Sequence, residues 1–211
     1  MKQITFYLDF ISPYAYLAFE RLPQALQGLS YSVDYQPVLF VAMLKQHGQL
    51  GPAEIAPKRE WTYRQVLWLA HSQGIEMQMP ASHPFNPLPL LRLALACASG
   101  GSINRFVAET VFHHVWRGGA DAGEPQRLQL LAQTLAPQRD PAGDAVKAQL
   151  KTNGEQAIAA GVFGVPSFAV DGKLFWGFDA LPMLRELLDG GDWFARGEWD
   201  SAAQRPGLQR K

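Results

Sequence analysis

The sequence predicts an α/β protein in which a β-α-β unit and a β-β-α unit enclose an inserted all-helical subdomain. Two runs rich in β-forming residues, 4–10 and 31–38, flank an apolar helical pattern near the amino terminus. The pattern stays helical from about residue 57 to 160, and a hairpin signal at 167–176 follows it. The 211 residues suit one unit with an elaboration better than two full domains.

The β-α-β unit begins with residues 4–10, which are mostly apolar and therefore typical of a strand buried on both faces. Ser12 and Pro13 then predict the start of a helix, because serine favours the N-cap and proline favours the first turn. Residues 31–38 contain enough β-formers to predict a second strand that ends near Pro37.

Several amphipathic helices are predicted in the middle of the chain, because apolar residues recur there at helical spacing. The last two are separated by a capping-box pattern, Thr152 with Glu155, which is typical of a helix start. The predicted helices lie around residues 63–70 and 91–98, and then at 103–116, 125–136, 141–150 and 152–161.

The β-β-α unit follows. Asp171 and Gly172 separate two short apolar runs and predict a type I′ hairpin turn. A last helix is predicted at residues 179–188. Residues 191–211 form a C-terminal tail without a period, in which we expect Trp193 and Phe194 to dock and the last residues to be mobile.

The composition excludes several classes of function. Nineteen basic residues balance nineteen acidic ones, so neither a nucleic acid nor an anionic membrane is an expected partner. The sequence contains no signal-peptide pattern and no apolar run of membrane-spanning length, from which we expect a cytoplasmic protein. Cys97 is the single cysteine, which leaves no CxxC pair, and we expect no metal site. Any thiol chemistry therefore needs an external thiol.

A more specific marker is Val165 followed by Pro166, at the entrance to the third predicted strand. An ordinary trans proline at a strand start is the simpler interpretation, because only about 5% of such bonds are cis. In the thioredoxin fold, however, a cis proline occupies this place, and the residue before it offers backbone groups to an extended thiol peptide. The upstream Ser-Pro turn and the downstream hairpin favour this second interpretation. It assigns residues 1–50 and 161–190 to a thioredoxin-like domain and 51–160 to the helical insertion.

Three motifs carry a resemblance to a known family. Residues 9–16 (DFISPYAY), 161–168 (GVFGVPSF) and 175–179 (FWGFD) resemble those of 2-hydroxychromene-2-carboxylate isomerases. These enzymes, with the kappa-class glutathione transferases, belong to the DsbA-like branch of the thioredoxin fold. The resemblance runs over nearly the whole chain and also includes residues 40–48, 57–58, 83–88 and 116–121.

The resemblance implies a glutathione-dependent isomerase, in which a glutathione thiolate adds to a conjugated aryl-pyruvate, allows rotation and leaves. Ser12 suits this role, because a hydroxyl donor at a helix N-terminus lowers a thiol pKa from its usual value of about 8.5. Ser12 as a plain N-cap is the alternative, and the two roles are compatible. Ala15 occupies the position of the second redox cysteine, which excludes dithiol exchange.

The same resemblance implies further contacts with glutathione. Val165 would pair with its cysteinyl backbone, Pro166 would lie beside this contact, and Asp179 would meet the γ-glutamyl ammonium. Phe178 stands before Asp179 where the family often has a small polar residue, and Lys58 would contact a carboxylate. As an alternative, Asp179 caps the last helix and Lys58 is an ordinary surface residue.

Five residues are candidates for the pocket of a small aromatic substrate. The lysine could be a solvated surface residue, the asparagine could serve only its turn, and the aromatic residues could belong to the core or the rim. The glutamine stands where the family commonly has asparagine. The candidates are Tyr14, Lys45, Gln49, Asn86 and Trp116.

Two other functions remain open at this point. A kappa-like glutathione transferase would use the same thiolate but would release a conjugate. A non-catalytic thioredoxin-fold binding module would hold a peptide or a thiol metabolite at the edge formed by Val165 and Pro166, without forming a thiolate. We expect a homodimer as the default among soluble oligomers.

Overall fold

A four-stranded sheet forms the centre of the computed structural model, which describes residues 1–207. The strands are β1 (Lys2–Leu8), β2 (Tyr31–Pro37), β3 (Ser167–Val170) and β4 (Lys173–Trp176). Their order across the sheet is β2-β1-β3-β4, with β1 parallel to β2 and antiparallel to β3. The β-α-β and β-β-α units therefore share one sheet, which confirms the predicted α/β topology.

Nine α-helices accompany the sheet within residues 1–207, and two short 3₁₀ turns lie close to the site described below, at Pro52–Glu54 and Phe178–Ala180. The helices are α1 (Pro13–Ala25), α2 (Phe40–Gln46), α3 (Ala56–Gln73), α4 (Leu88–Ala96), α5 (Arg105–Trp116), α6 (Pro125–Leu135), α7 (Asp144–Ala159), α8 (Leu181–Leu188) and α9 (Glu198–Ala202). None of these helices is both long and apolar enough to cross a membrane. The short helix α2 was not among the predicted elements.

The hairpin between β3 and β4 has the predicted turn. Asp171 and Gly172 both have positive φ, 49° and 73°, as a type I′ turn requires. The last helix differs from its prediction, because Asp179 lies in the 3₁₀ turn before α8. Proline in the first turn of α8 favours a start at Leu181.

Helix α7 corrects the prediction of two separate helices at residues 141–150 and 152–161. Thr152 and Glu155, taken as a capping box, lie inside one continuous helix. Its buried side chains follow each other at intervals of four, three and four residues, so one face stays buried along the whole helix. These buried residues are Val146, Leu150, Asn153 and Ala157.

One apolar core joins the sheet to the helical segment. Phe10, just after β1, contacts Phe112 of α5 at 4.9 Å between ring centroids. Tyr16 of α1 stacks on Trp116 at the end of α5, with centroids 6.2 Å apart. Both contacts join α5 to the start of α1 and to the turn before it.

The tail contains more structure than its sequence pattern indicates. It forms a 3₁₀ turn at Asp192–Ala195 and then α9. Phe194 is buried beside Phe175, as predicted, whereas Trp193 is 41% exposed. The predicted mobility of the last residues falls partly on residues 208–211, which lie outside the described residues.

Candidate active site

Ser12 occupies the N-cap of α1 and lies in the turn that follows β1. Its hydroxyl oxygen accepts a hydrogen bond from the Ala15 amide at 3.2 Å, so the residue does cap the helix. The same hydroxyl donates to the carbonyl oxygen of Val165 at 3.3 Å. The fold thus brings together two residues that are 153 positions apart in the sequence.

The segment around Val165 and Pro166 faces this turn. The bond between them is cis, as predicted, and a second cis bond joins His83 to Pro84. The carbonyl of Pro166 accepts a hydrogen bond from the Gly177 amide at 2.9 Å, which ties the segment to the start of the Phe178–Ala180 turn. Val165 is buried, and its carbonyl points at the Ser12 hydroxyl.

A groove of about 410 Å³ opens beside the amino-terminal turn of α1 and the start of α3. It brings together two predicted residues, Tyr14 and Lys58. Trp61 and Gln65 of α3 also line it, and sequence reasoning missed both. Its full lining is Tyr14, Pro52, Pro57, Lys58, Trp61, Thr62 and Gln65.

The polar contacts of the groove centre on Tyr14. Its hydroxyl donates to the Gln65 side-chain oxygen at 2.6 Å. Burial raises the pKa of Tyr14, a hydrogen bond with Thr62 opposes the rise, and the negative charge of Asp179 adds to it. Trp61 is 64% exposed. The sequence shows only that it lies one helical turn after Lys58, which is the signal that could have indicated it.

Asp179 and Phe178 also lie near the start of α1. Phe178 is partly buried and packs with Tyr14 against the small cluster around Leu17. Asp179 is exposed and close enough for its charge to act on Tyr14. The structure therefore gathers Ser12, Tyr14, Val165, Phe178 and Asp179 around one helix N-terminus.

Three other candidates lie on exposed segments. Lys45 is in the last turn of α2, and Gln49 follows that helix, with its amide bonded to the Leu44 carbonyl. The Asn86 side chain accepts a hydrogen bond from the Leu88 amide at 3.1 Å, which is the turn role that its sequence context also allowed. Within residues 1–207, none of these three side chains forms a hydrogen bond with Ser12.

Trp116 corrects one prediction. Its side chain is 0% exposed, and its indole N–H donates to the Phe10 carbonyl at 3.0 Å. A residue without accessible surface cannot contact a substrate. Trp116 instead supports, from within the core, the chain that leads into the Ser12 turn.

His83 and Asp9 support the same turn, and sequence reasoning assigned a role to neither. His83 Nε2 lies 2.8 Å from the Ile11 carbonyl, and Nδ1 lies 2.9 Å from the Tyr63 hydroxyl. Burial lowers the pKa of His83, so the neutral ring donates its Nε2 proton to Ile11. Asp9 is fully buried and accepts two backbone hydrogen bonds, from Ile11 and from Phe40.

The arrangement suits the binding of a thiol ligand. Ser12 offers a hydroxyl at the positive end of the 13-residue helix α1, where an anion is stabilised. Ala15, at the position of a second redox cysteine, is buried. Cys97 lies at the end of α4, where burial raises the pKa of its thiol and so disfavours the reactive thiolate.

The chain resembles proteins of two named activities along most of its length. It is 28% identical to a 2-hydroxychromene-2-carboxylate isomerase of Sphingobium xenophagum, over 89% of this chain and 98% of that protein. It is 25% identical to glutathione S-transferase kappa 2 of Caenorhabditis elegans, over 89% of this chain and 92% of that protein.

A solved structure of 2-hydroxychromene-2-carboxylate isomerase has the same fold. It superposes with a TM-score of 0.77 at 22% identity, covering 94% of this chain and 98% of the other. The family model described as the DSBA-like thioredoxin domain matches residues 3–189. Because this match covers most of the chain, the protein belongs to the DSBA-like thioredoxin domain family.

Proposed function

We propose that this protein is a glutathione-dependent isomerase that acts on 2-hydroxychromene-2-carboxylate or a related aryl-pyruvate. The observation that carries the proposal is the Ser12 hydroxyl, placed at the N-terminus of α1 and 3.3 Å from the carbonyl of Val165 beside the cis proline. The similarity to a bacterial isomerase of that name over 98% of its length supports the choice of substrate.

The chemistry of the groups present fits glutathione, which has a thiol, an ammonium and two carboxylates. Ser12 offers a hydroxyl donor, Asp179 an exposed anion and Lys58 an exposed cation in the groove beside Tyr14. Val165 and Pro166 would align the cysteinyl backbone, and Phe178 would pack near the γ-glutamyl end. When bound, glutathione supplies a thiolate that adds reversibly to the conjugated substrate and allows the former double bond to rotate.

The chain's own residues favour the thiolate in two ways. The Ser12 hydroxyl can turn from the Val165 carbonyl to donate a hydrogen bond to the thiolate sulfur, and the α1 N-terminus favours negative charge at the same place. Tyr14 and the groove of about 410 Å³ are suited to an aromatic ring. Lys45, Gln49 and Asn86 remain proposed substrate contacts on the exposed segments.

The first experiment follows thiolate absorbance in the ultraviolet while glutathione is titrated into the protein at several pH values. A hydrogen bond to a charged group contributes about 1.5–3 kcal/mol, so Ser12→Ala should raise the pKa of bound glutathione by roughly 1–2 units. Ser12→Thr is the matched control, since it keeps a hydroxyl and an N-cap. Unchanged thiolate formation in Ser12→Ala would refute the role of Ser12.

The second candidate function is a kappa-like glutathione transferase, which the similarity to the nematode enzyme favours. The product distinguishes the two, because a transferase leaves a stable glutathione conjugate and an isomerase returns free glutathione. A non-catalytic binding module would bind glutathione without any thiolate absorbance.

Sedimentation of the purified chain tests the proposed homodimer.

A further inference from the structure

Asp9 lies between β1 and the Ser12 turn with no exposed surface. One carboxylate oxygen accepts from the Ile11 amide at 3.2 Å, within the same turn. The other accepts from the Phe40 amide at 2.9 Å, from a residue 31 positions away. The Asp9 carbonyl in turn accepts from the Ser12 amide at 3.1 Å. One buried residue therefore bonds to the Ser12 turn and to a distant segment.

The distant segment is the start of α2. Phe40 is the first residue of this helix, and the N-cap residue before it, Leu39, makes no side-chain capping bond. The Asp9 carboxylate thus supplies the acceptor for the Phe40 amide, one of the amides at the start of α2 that have no partner within the helix. Phe40 and Met43 of α2 pack in the apolar cluster that contains Val165. Lys45 lies in the last turn of the same helix.

We propose that Asp9 is a positioning residue, whose ionised carboxylate holds α2 and the Ser12 turn in a fixed relation and thereby keeps Lys45 and Ser12 aligned. The structural part of this proposal stands on the hydrogen bonds alone, and its effect on turnover rests on the proposed function. In its ionised form the Asp9 side chain accepts hydrogen bonds from both amides at once. In its protonated form only one of its two oxygens remains a good acceptor. Protonation therefore weakens one of the two bonds.

This change takes place in the neutral pH range. Burial raises the pKa of Asp9 to about 7, against the smaller opposing effects of the Phe40, Ile11 and Phe10 amides. On the elements that Asp9 joins, Tyr7 in β1 and Lys45 in α2 are titratable, and His83 binds the Ile11 carbonyl of the same turn. Within residues 1–207, no charged side chain is among the causes of the shifted pKa of Asp9.

The test needs no activity and no variant at first. Nuclear magnetic resonance follows the Asp9 carboxyl carbon and the Ile11 and Phe40 amide signals of the free protein as the pH rises. We expect all three signals to move with one midpoint near 7. If the Asp9 carboxyl signal titrates while the Phe40 amide signal stays unmoved, ionisation of Asp9 does not control its bond to α2, and the proposal is overturned. A midpoint near the ordinary value of 3.8 would also overturn it.

Asp9→Asn adds the functional readout, with Asp34→Asn on the exposed face of β2 as the matched control. With glutathione saturating, kcat/KM of the wild type should rise with pH through a step near pH 7, and Asp9→Asn should lack this step. At high pH, kcat/KM of Asp9→Asn should be roughly tenfold lower than that of the wild type. An identical pH profile in both proteins contradicts the role of Asp9. If the wild type binds no glutathione, the proposed function fails, and the amide titration still decides the positioning role.

Discussion

The buried carboxyl of Asp9 predicts how the stability of the folded protein depends on pH. Its pKa in the folded protein is about 7, above the ordinary value of 3.8, because burial disfavours the charged form. The folded state therefore holds this proton more tightly than the unfolded chain does. The resulting stability is complete below pH 3.8 and is lost as the pH rises through about 7.

The size of the effect follows from the two pKa values. They lie roughly 3 pH units apart, which corresponds to about 4 kcal/mol over the whole range. About half of this, roughly 2 kcal/mol, is lost between about pH 5.5 and about pH 8. Asp9→Asn carries no titrating group at this position. Its free energy of unfolding should therefore lack this decrease.

Urea unfolding at a series of pH values measures the difference between the two proteins. The wild type should lose roughly 2 kcal/mol relative to Asp9→Asn from about pH 5.5 to about pH 8, whatever constant offset the substitution causes. Asp34→Asn, at an exposed position, should run parallel to the wild type. Parallel curves for the wild type and Asp9→Asn would refute the raised pKa of Asp9.

Three further substitutions test the packing. Gly154→Ala should raise the free energy of urea unfolding by about 0.5–1 kcal/mol. Gly154 lies in the interior of α7, where alanine is the better helix former, and the new methyl group would meet no neighbour. Asn153→Ala should lower it by about 2–4 kcal/mol, because the buried amide donates at 2.9 Å and 2.7 Å to two carbonyls. Gly164→Ala should displace the Trp176 indole, whose nitrogen lies 2.6 Å from the added carbon, and so shift its indole N–H resonance and weaken glutathione binding.

For each of these three substitutions, one outcome would contradict the prediction. Gly28→Ala is the control for Gly154→Ala, because its new methyl group also meets no neighbour but its φ of 87° should make the substitution destabilising. An equal gain in stability in both variants would contradict the explanation given for Gly154. Unchanged stability of Asn153→Ala would show that water replaces its two bonds. An unmoved Trp176 signal in Gly164→Ala would mean that the backbone yields instead.

Local patterns in the sequence were sufficient for several parts of the fold. The Ser12-Pro13 helix start and the Asp171-Gly172 turn were predicted correctly, because each depends on the conformations available to one or two adjacent residues. The capping-box pattern at Thr152 failed for the complementary reason. Its residues are also compatible with a helix interior, and burial of a continuous face of α7 kept the helix intact.

The candidate site shows the same division. Resemblance to known motifs indicated Ser12, Val165 and Asp179. The Ser12–Val165 hydrogen bond and the effect of Asp179 on Tyr14 arise only when the sheet brings distant segments together. The sequence could not show that Trp116 is enclosed by the core, since an aromatic residue at a helix end suits a pocket wall equally well.

The sequence by itself determined the order of the four strands, the hairpin turn type and the residue types available for thiol chemistry. These depend on backbone preferences and side-chain chemistry, which act over a few neighbouring residues. Only the tertiary structure decided that the Ser12 hydroxyl meets the Val165 carbonyl and that the Asp9 carboxylate meets the Phe40 amide. Burial and pairing of this kind depend on packing between segments distant in the chain, which no local pattern encodes.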